Sequence, residues 1–179
     1  MNVFVSGGCK NGKSMFAQEL AREMAQAKGV PLYYLATMIP KDDEDQERVI
    51  RHCQEREGWG FETIEQGKDI CQCLKDCDSN GVFLFDSVTA LLENEMFKSD
   101  GSINLEAGKK VQEEVTMFAQ KTGNTIFVSD FIYCDAMEFY DLTENYKKSL
   151  AGIDKCLGQI CQRVVEVSYG SIIDYKEAE

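Results

Sequence analysis

The chain has 179 residues, 31 of them acidic and 19 basic, for a formal net charge of −12. An acidic surface repels polynucleotide, which argues against a nucleic-acid partner. No apolar stretch approaches the roughly 18 residues of a membrane span, and no charged leader precedes an apolar core, so a cytoplasmic protein without a membrane partner, one domain over residues 1–179, is expected.

Residues 2–6 read as a buried strand. Gly7-Gly8-Cys9-Lys10-Asn11-Gly12-Lys13-Ser14 follows at once, spelling G-x-x-x-x-G-K-S, and an amphipathic helix runs on to residue 28. A second strand is predicted over 31–37 and a charged helix over 42–57, with Val49, Ile50 and Cys53 as its apolar stripe. A short strand over 61–64 and a short helix over 67–77 come next. Residues 81–85 (G-V-F-L-F) and 124–129 (N-T-I-F-V-S) are continuous apolar runs of the kind buried on both faces of a parallel sheet. Between them lie helical patterns at 88–97 and 103–121. A helix over 143–160 precedes strands at 164–167 and 172–175, parted by Tyr169-Gly170. Segments 98–103 and 131–138 are expected to be loose, the second because it lacks clear periodicity. Repeated alternation of strand and helix predicts an α/β fold of the P-loop NTPase kind. Its sheet is mostly parallel, covered by helices, and ends in an antiparallel strand pair.

The glycine-rich octapeptide is the first chemical signal. Gly7, Gly8 and Gly12 let the backbone turn tightly, so that N–H groups from Gly7 to Ser14, Cys9, Lys10 and Asn11 included, point at phosphate oxygens. Lys13 places a charge near the β- and γ-phosphates. Ser14 offers a hydroxyl to Mg²⁺ and opens a helix whose positive end faces the same anion. The expected ligand is GTP or ATP with Mg²⁺. Asp86 ends the run Val82-Phe83-Leu84-Phe85 and is a candidate for the Mg²⁺ shell across from Ser14, although many buried strands end in Asp. Cys9 sits inside the loop, where a small residue fits.

His52 is the only histidine, and a lone histidine more often does no chemistry. Arg48 lies four residues before it on the predicted helix and shares its face. Such a pair can hold a phosphate while neutral imidazole attacks phosphorus. The acids Asp42, Asp43, Glu44, Asp45 and Glu47 read more simply as a solvated helix start. Cys71, Cys73 and Cys77 lack the second pair that a zinc site needs, and Ile70, Leu74 and Cys77 fall on one helical face. The cluster is therefore read as core, with reduced thiols.

Three motifs together resemble the bifunctional adenosylcobinamide kinase/adenosylcobinamide-phosphate guanylyltransferases. Tyr34-Leu35-Ala36-Thr37, then Asp42, Glu44, Arg48-Val49 and His52, is similar to Y-I-A-T-x4-D-x-E-x3-R-I-x2-H without a gap. The loop resembles G-G-x-R-S-G-K-S, and Asp86-Ser87-Val88-Thr89 with Asn94 resembles D-C-L-T-x4-N. The resemblance implies that His52 takes GMP from GTP as a phosphoramidate and passes it to a corrinoid phosphate. It also implies that the same enzyme phosphorylates the corrinoid with a nucleotide γ-phosphate. A trimer is a further implication.

The chain departs from the family pattern in its last third. N-E-V-G-x-G-I-V-P is met by Asp130-Phe131-Ile132-Tyr133-Cys134-Asp135-Ala136, and G-x-x-N-Q by Gly152-Ile153-Asp154-Lys155-Cys156. In the loop, Lys10 stands one place before the family's arginine and Asn11 fills its slot. These departures bear on corrinoid specificity and on whether both activities are kept. Three readings stay open: the bifunctional enzyme, a P-loop small-molecule kinase without guanylyl transfer, and a non-catalytic nucleotide-binding module.

Overall fold

The computed structural model describes residues 1–176 except Asp135, Ala136 and Glu138, and every side chain among them but those of Arg48 and Glu55. Seven strands form one sheet: β1 (Val3–Gly7), β2 (Leu32–Ala36), β3 (Phe61–Glu65), β4 (Val82–Asp86), β5 (Thr125–Asp130), β6 (Arg163–Ser168) and β7 (Ser171–Lys176). Their order is β3-β2-β4-β5-β1-β6-β7. The first six run parallel, and β7 pairs antiparallel with β6, as the terminal strand pair in the sequence predicts.

Side chains alternate across a strand, so the apolar runs feed two cores. Val3, Val5, Leu84, Ile126 and Val128 face one side, where α1 (Lys13–Lys28) lays down Ala17, Ala21 and Ala25. Phe4, Phe83, Phe85 and Phe127 face the other. There they meet α3 (Val88–Met96), α4 (Ala107–Thr122) and α5 (Asp141–Ile160). Phe118 of α4 stands edge-on to Phe83 at 5.3 Å and to Phe85 at 5.9 Å between ring centroids. Phe83, Phe85, Phe118 and Phe127 are fully buried, and burying each side chain stabilises the fold by about 1.5–3 kcal/mol.

Two predicted elements are corrected. The helix expected over 67–77 is a 3₁₀ helix, Ile70–Lys75. Asp69 takes a left-handed conformation (φ 47°), which cuts the N-terminal side. Ile70 and Cys73 are buried, three residues apart, the spacing that shares a face in a 3₁₀ helix. Cys71, Leu74 and Cys77 pack partly against the same core, so the cluster is apolar filling with free thiols. The second correction concerns α4, which starts at Ala107 and not at 103. Ile103 instead bridges Phe97, and Asn104 N–H donates to the Met96 carbonyl at 2.8 Å. The intervening segment is a closed turn, with Lys98 N–H donating to the Ser102 carbonyl.

α2 (Asp43–Glu55) begins as its acids predict. Asp42 caps it, accepting from Asp45 N–H at 2.9 Å, and Asp45 in turn accepts from Lys41 N–H. None of the described side chains in α2 is buried. No helix among the described residues is long and apolar enough to cross a membrane.

Candidate functional site

The carboxyl ends of β1, β2, β4 and β5 lie side by side, with Gly7 opposite Asp130 and Ala36 opposite Asp86 in the register. Open parallel sheets place their ligand crevices at this edge. The glycine-rich loop leaves β1 here. A Cβ on Gly7 would sit 2.3 Å from the Val167 carbonyl oxygen of β6, so no other residue fits. Gly12 caps α1 at φ 88°, a left-handed conformation that glycine adopts without strain. Cys9 and Lys10 are exposed, while Gly8 and Asn11 are half-buried.

Lys13 is 7% exposed and does not reach into solvent. Its ammonium donates to the Gly8 carbonyl at 3.1 Å and pairs with Asp130 at 2.5 Å. Asp130 is held in turn by its backbone, whose N–H donates to Thr89 Oγ1 at 2.9 Å. Sequence reasoning missed Asp130. The signal was present: Thr125–Asp130 is an apolar run ending in an acid, the same pattern that drew attention to Asp86. β5 inserts between β1 and β4, and that strand order brings the second acid to the loop.

Asp86 is half-buried and accepts from the Tyr34 hydroxyl at 2.8 Å. Burial pushes that phenol well above its ordinary range, and the Asp86 charge adds to the shift, so Tyr34 stays a donor. The motifs of β2 and β4 lock together beside it. Thr37 Oγ1 donates to the Ser87 carbonyl and accepts from Ser87 N–H, both at 2.7 Å. Buried Asn94 donates to the carbonyls of Thr37 at 2.7 Å and Gly67 at 3.0 Å. Asn94 thus lines the wall of the site, Thr37 ties β2 to β4 behind it, and both are spent on backbone.

The wall encloses a cavity of 490 Å³, lined by Ser14, His52, Asp86 and Asp130 among others. Three residues singled out by sequence for three separate reasons therefore share one space. The backbone of Arg48 lies one turn before His52 on α2, and its side chain lies outside the described residues. Sequence reasoning also missed Arg56, which caps the end of α2 and lines the same cavity. Ser14 and Asp86 offer a hydroxyl and a carboxylate, hard oxygen donors of the kind magnesium takes.

A model of the cobinamide kinase/cobinamide phosphate guanyltransferase family matches residues 3–174. The chain belongs to this family. The bifunctional adenosylcobalamin biosynthesis protein CobU of Escherichia coli is 32% identical over 103 residues, 56% of this chain and 53% of that relative. The alignment thus spans about half the length of that protein. The corresponding CobP of Pseudomonas aeruginosa is 24% identical over 165 residues, covering 92% of this chain and 91% of its own.

The fold has wider company. A KaiC-like protein of Pyrococcus horikoshii superposes with a TM-score of 0.54 at 16% identity, over 99% of this chain and 79% of its own. The ATPase domain of G40P gives 0.52 at 11% identity, over 99% and 77%. At such identities they fix the fold alone, a P-loop ATPase architecture.

The family's departures have structural addresses. Phe131, one of the departures from the family pattern expected from the sequence, is 45% exposed and packs edge-on to Tyr133 at 4.8 Å. Lys155 is exposed on α5. Next to it Asp154 is 4% exposed and accepts from the Tyr133 hydroxyl at 3.1 Å, and burial raises its carboxyl to about 7. A separate acidic group, Asp69, Glu95 and Glu114, lies elsewhere, with the Lys110 ammonium 2.7 Å from both Asp69 and Glu95.

Proposed function

We propose that this protein phosphorylates the hydroxyl of a cobinamide-type corrinoid and then transfers GMP from GTP to the resulting phosphate. The observation that carries the reading is the single cavity shared by Ser14 of the phosphate loop, Asp86 and His52. Family membership supplies the acceptor class.

In the kinase step the loop backbone and Lys13 hold the β- and γ-phosphates of GTP or ATP. The corrinoid hydroxyl oxygen attacks the γ-phosphorus, the bond to the β-phosphate oxygen breaks, and the nucleoside diphosphate leaves. Lys13 must first exchange Asp130 for phosphate, because its ammonium is taken by that carboxylate in the free protein. The freed Asp130 carboxylate then faces the cavity as an acceptor for the hydroxyl proton. Ser14 and Asp86 would hold Mg²⁺, which when bound neutralises phosphate charge.

In the guanylyl step an imidazole nitrogen of His52 attacks the α-phosphorus of GTP, and pyrophosphate leaves. A phosphate oxygen of the corrinoid phosphate then attacks the same phosphorus, the phosphorus–nitrogen bond breaks, and the imidazole is restored. Arg48, on the same helix face, is the cation proposed to neutralise the α-phosphate. Covalent capture splits one displacement between two anions into two easier ones.

The test uses cobinamide with GTP labelled at the γ-phosphate in one reaction and at the α-phosphate in another. Both labels should reach corrinoid products. Transfer of γ-label alone would leave a P-loop kinase, and transfer of neither would leave a nucleotide-binding module.

A further inference from the structure

Arg56 is 6% exposed, yet no carboxylate among the described residues lies within ion-pair distance of it. Its guanidinium lies over the Tyr34 ring, with Cζ 3.4 Å from the ring centroid. Nη2 reaches only the Cys53 sulfur at 3.7 Å, and Nη1 is buried with no hydrogen-bond partner. A guanidinium cannot shed its proton to escape burial. The ring face offsets part of the charge, and sulfur is a weak acceptor. A buried charge left this way is strongly destabilising. The chain does not lack acids, having 31 of them against 19 basic residues. Among the described residues none of these acids is placed beside it.

The position of Arg56 indicates where the missing anion comes from. It stands four residues after His52, one turn further along the same helix face. Both side chains line the cavity that Ser14 and Asp86 line from the opposite side of the sequence. Cys53, Arg56 and Thr63 also line a neighbouring hollow, so Arg56 borders both. Nη1 is covered in the free protein. Arg56 ends α2, which buries none of its described side chains.

We infer that Arg56 is a phosphate-binding residue of this cavity, pairing with the 5′-phosphate of a nucleoside monophosphate unit held against His52. The inference deepens the proposed function, since it takes the cavity as a nucleotide site. The competing role is structural: an arginine stem and fork packed on Tyr34 for area alone. The two roles differ in sign. Removing a buried, unpaired charge while keeping the apolar stem leaves the free protein as stable or more so. Removing a packing element lowers its stability.

The chain's one tryptophan, Trp59, donates its backbone N–H to the Arg56 carbonyl at 3.1 Å and provides an intrinsic fluorescence signal. The experiment titrates GMP into the wild type, Arg56→Met and Arg56→Lys, with calorimetry in parallel, and measures the melting temperature of each with and without GMP. Arg56→Met should weaken GMP binding about tenfold or more while melting no lower than wild type. Arg56→Lys, which keeps the charge but loses the planar fork, should fall between the two. GMP should raise the melting temperature of the wild type and not of Arg56→Met. If Arg56→Met fails to fold, Arg56→Lys decides: weaker GMP binding at an unchanged melting temperature supports the inference, and unchanged affinity overturns it.

The inference is also overturned if the wild type does not bind GMP, or if Arg56→Met binds it within about twofold of wild type. Covalent GMP is scored separately by mass after incubation with GTP. Arg56-dependent GMP binding with no adduct would sink guanylyl transfer and leave this inference standing. An adduct formed by Arg56→Met at the wild-type rate would do the reverse.

Discussion

The phosphate loop and the helix carrying His52 face one cavity but are built by opposite means. β1 is pinned between β5 and β6, and α1 drives Ala17, Ala21, Met24 and Ala25 into the core behind the loop. α2 buries none of its described side chains. Its start is held by the Asp42 cap, and it ends at Arg56, whose buried guanidinium lies over Tyr34 with Nη1 unsatisfied. A helix of 13 residues is near the length of about 12–15 at which isolated helices are marginal in water. The contrast separates two demands. A pre-formed anion cradle gains from rigidity, because its backbone donors pay no reorganisation at the moment of transfer. The nucleophile proposed at His52, which would meet one phosphate and deliver GMP to another, would gain from an element that is easily displaced.

The comparison can be broken at four points, the largest effect first. Phe118→Ala, in the core that α4 packs on the sheet face opposite α1, should cost about 3–5 kcal/mol in denaturant unfolding, while Ile50→Ala on α2, where Ile50 is 56% exposed, should stay within about 0.5 kcal/mol. Comparable losses at the two positions would erase the distinction. Lys13→Ala should lower phosphoryl transfer on the order of 10²-fold or more with the fold intact. Near-normal transfer by a folded variant would remove Lys13 from the chemistry.

The third point is Asp42→Ala, which should cost α2 about 1 kcal/mol. Hydrogen exchange should show this as faster exchange across Asp43–Glu55, with Lys13–Lys28 unchanged. Uniform change in both helices would mean that α2 opens only with the whole protein. The fourth point lies behind β5. Burial raises the Asp154 carboxyl from 3.8 to about 7, so over that interval the folded protein binds the proton that the unfolded chain has lost. Stability therefore falls as pH rises through this window. Asp154→Asn should flatten the fall and melt higher than wild type at about pH 8. The gain should be on the order of 1 kcal/mol, because the amide stays incompletely satisfied. An unchanged pH profile would place the titration elsewhere.

Much of this was legible in the chain because local chemistry dictates it. The loop had to follow a buried strand, and the G-x-x-x-x-G-K-S spacing names its own ligand class. The acids at the head of α2 read as a helix start, and they are one. Strand order was not legible. Nothing local says that β5 inserts between β1 and β4, so Asp130 was passed over although its run resembles that of Asp86. Arg56 was missed for a related reason. On a helical wheel it is one more charge in a charged helix, and only the fold puts Tyr34 beneath it and, among the described residues, withholds a carboxylate. The 3₁₀ helix is not legible because Ile70, Leu74 and Cys77 fit one α-helical face, whereas the pair that the fold buries is Ile70 and Cys73.

The central claim is that His52 becomes covalently guanylylated, and intact mass under denaturing conditions after incubation with GTP and Mg²⁺ tests it most directly. The wild type should gain one GMP equivalent, lost in acid and kept in alkali as a phosphorus–nitrogen bond requires, and His52→Asn should gain none. A wild-type mass that stays unmodified, or an adduct that persists in His52→Asn, would contradict the account.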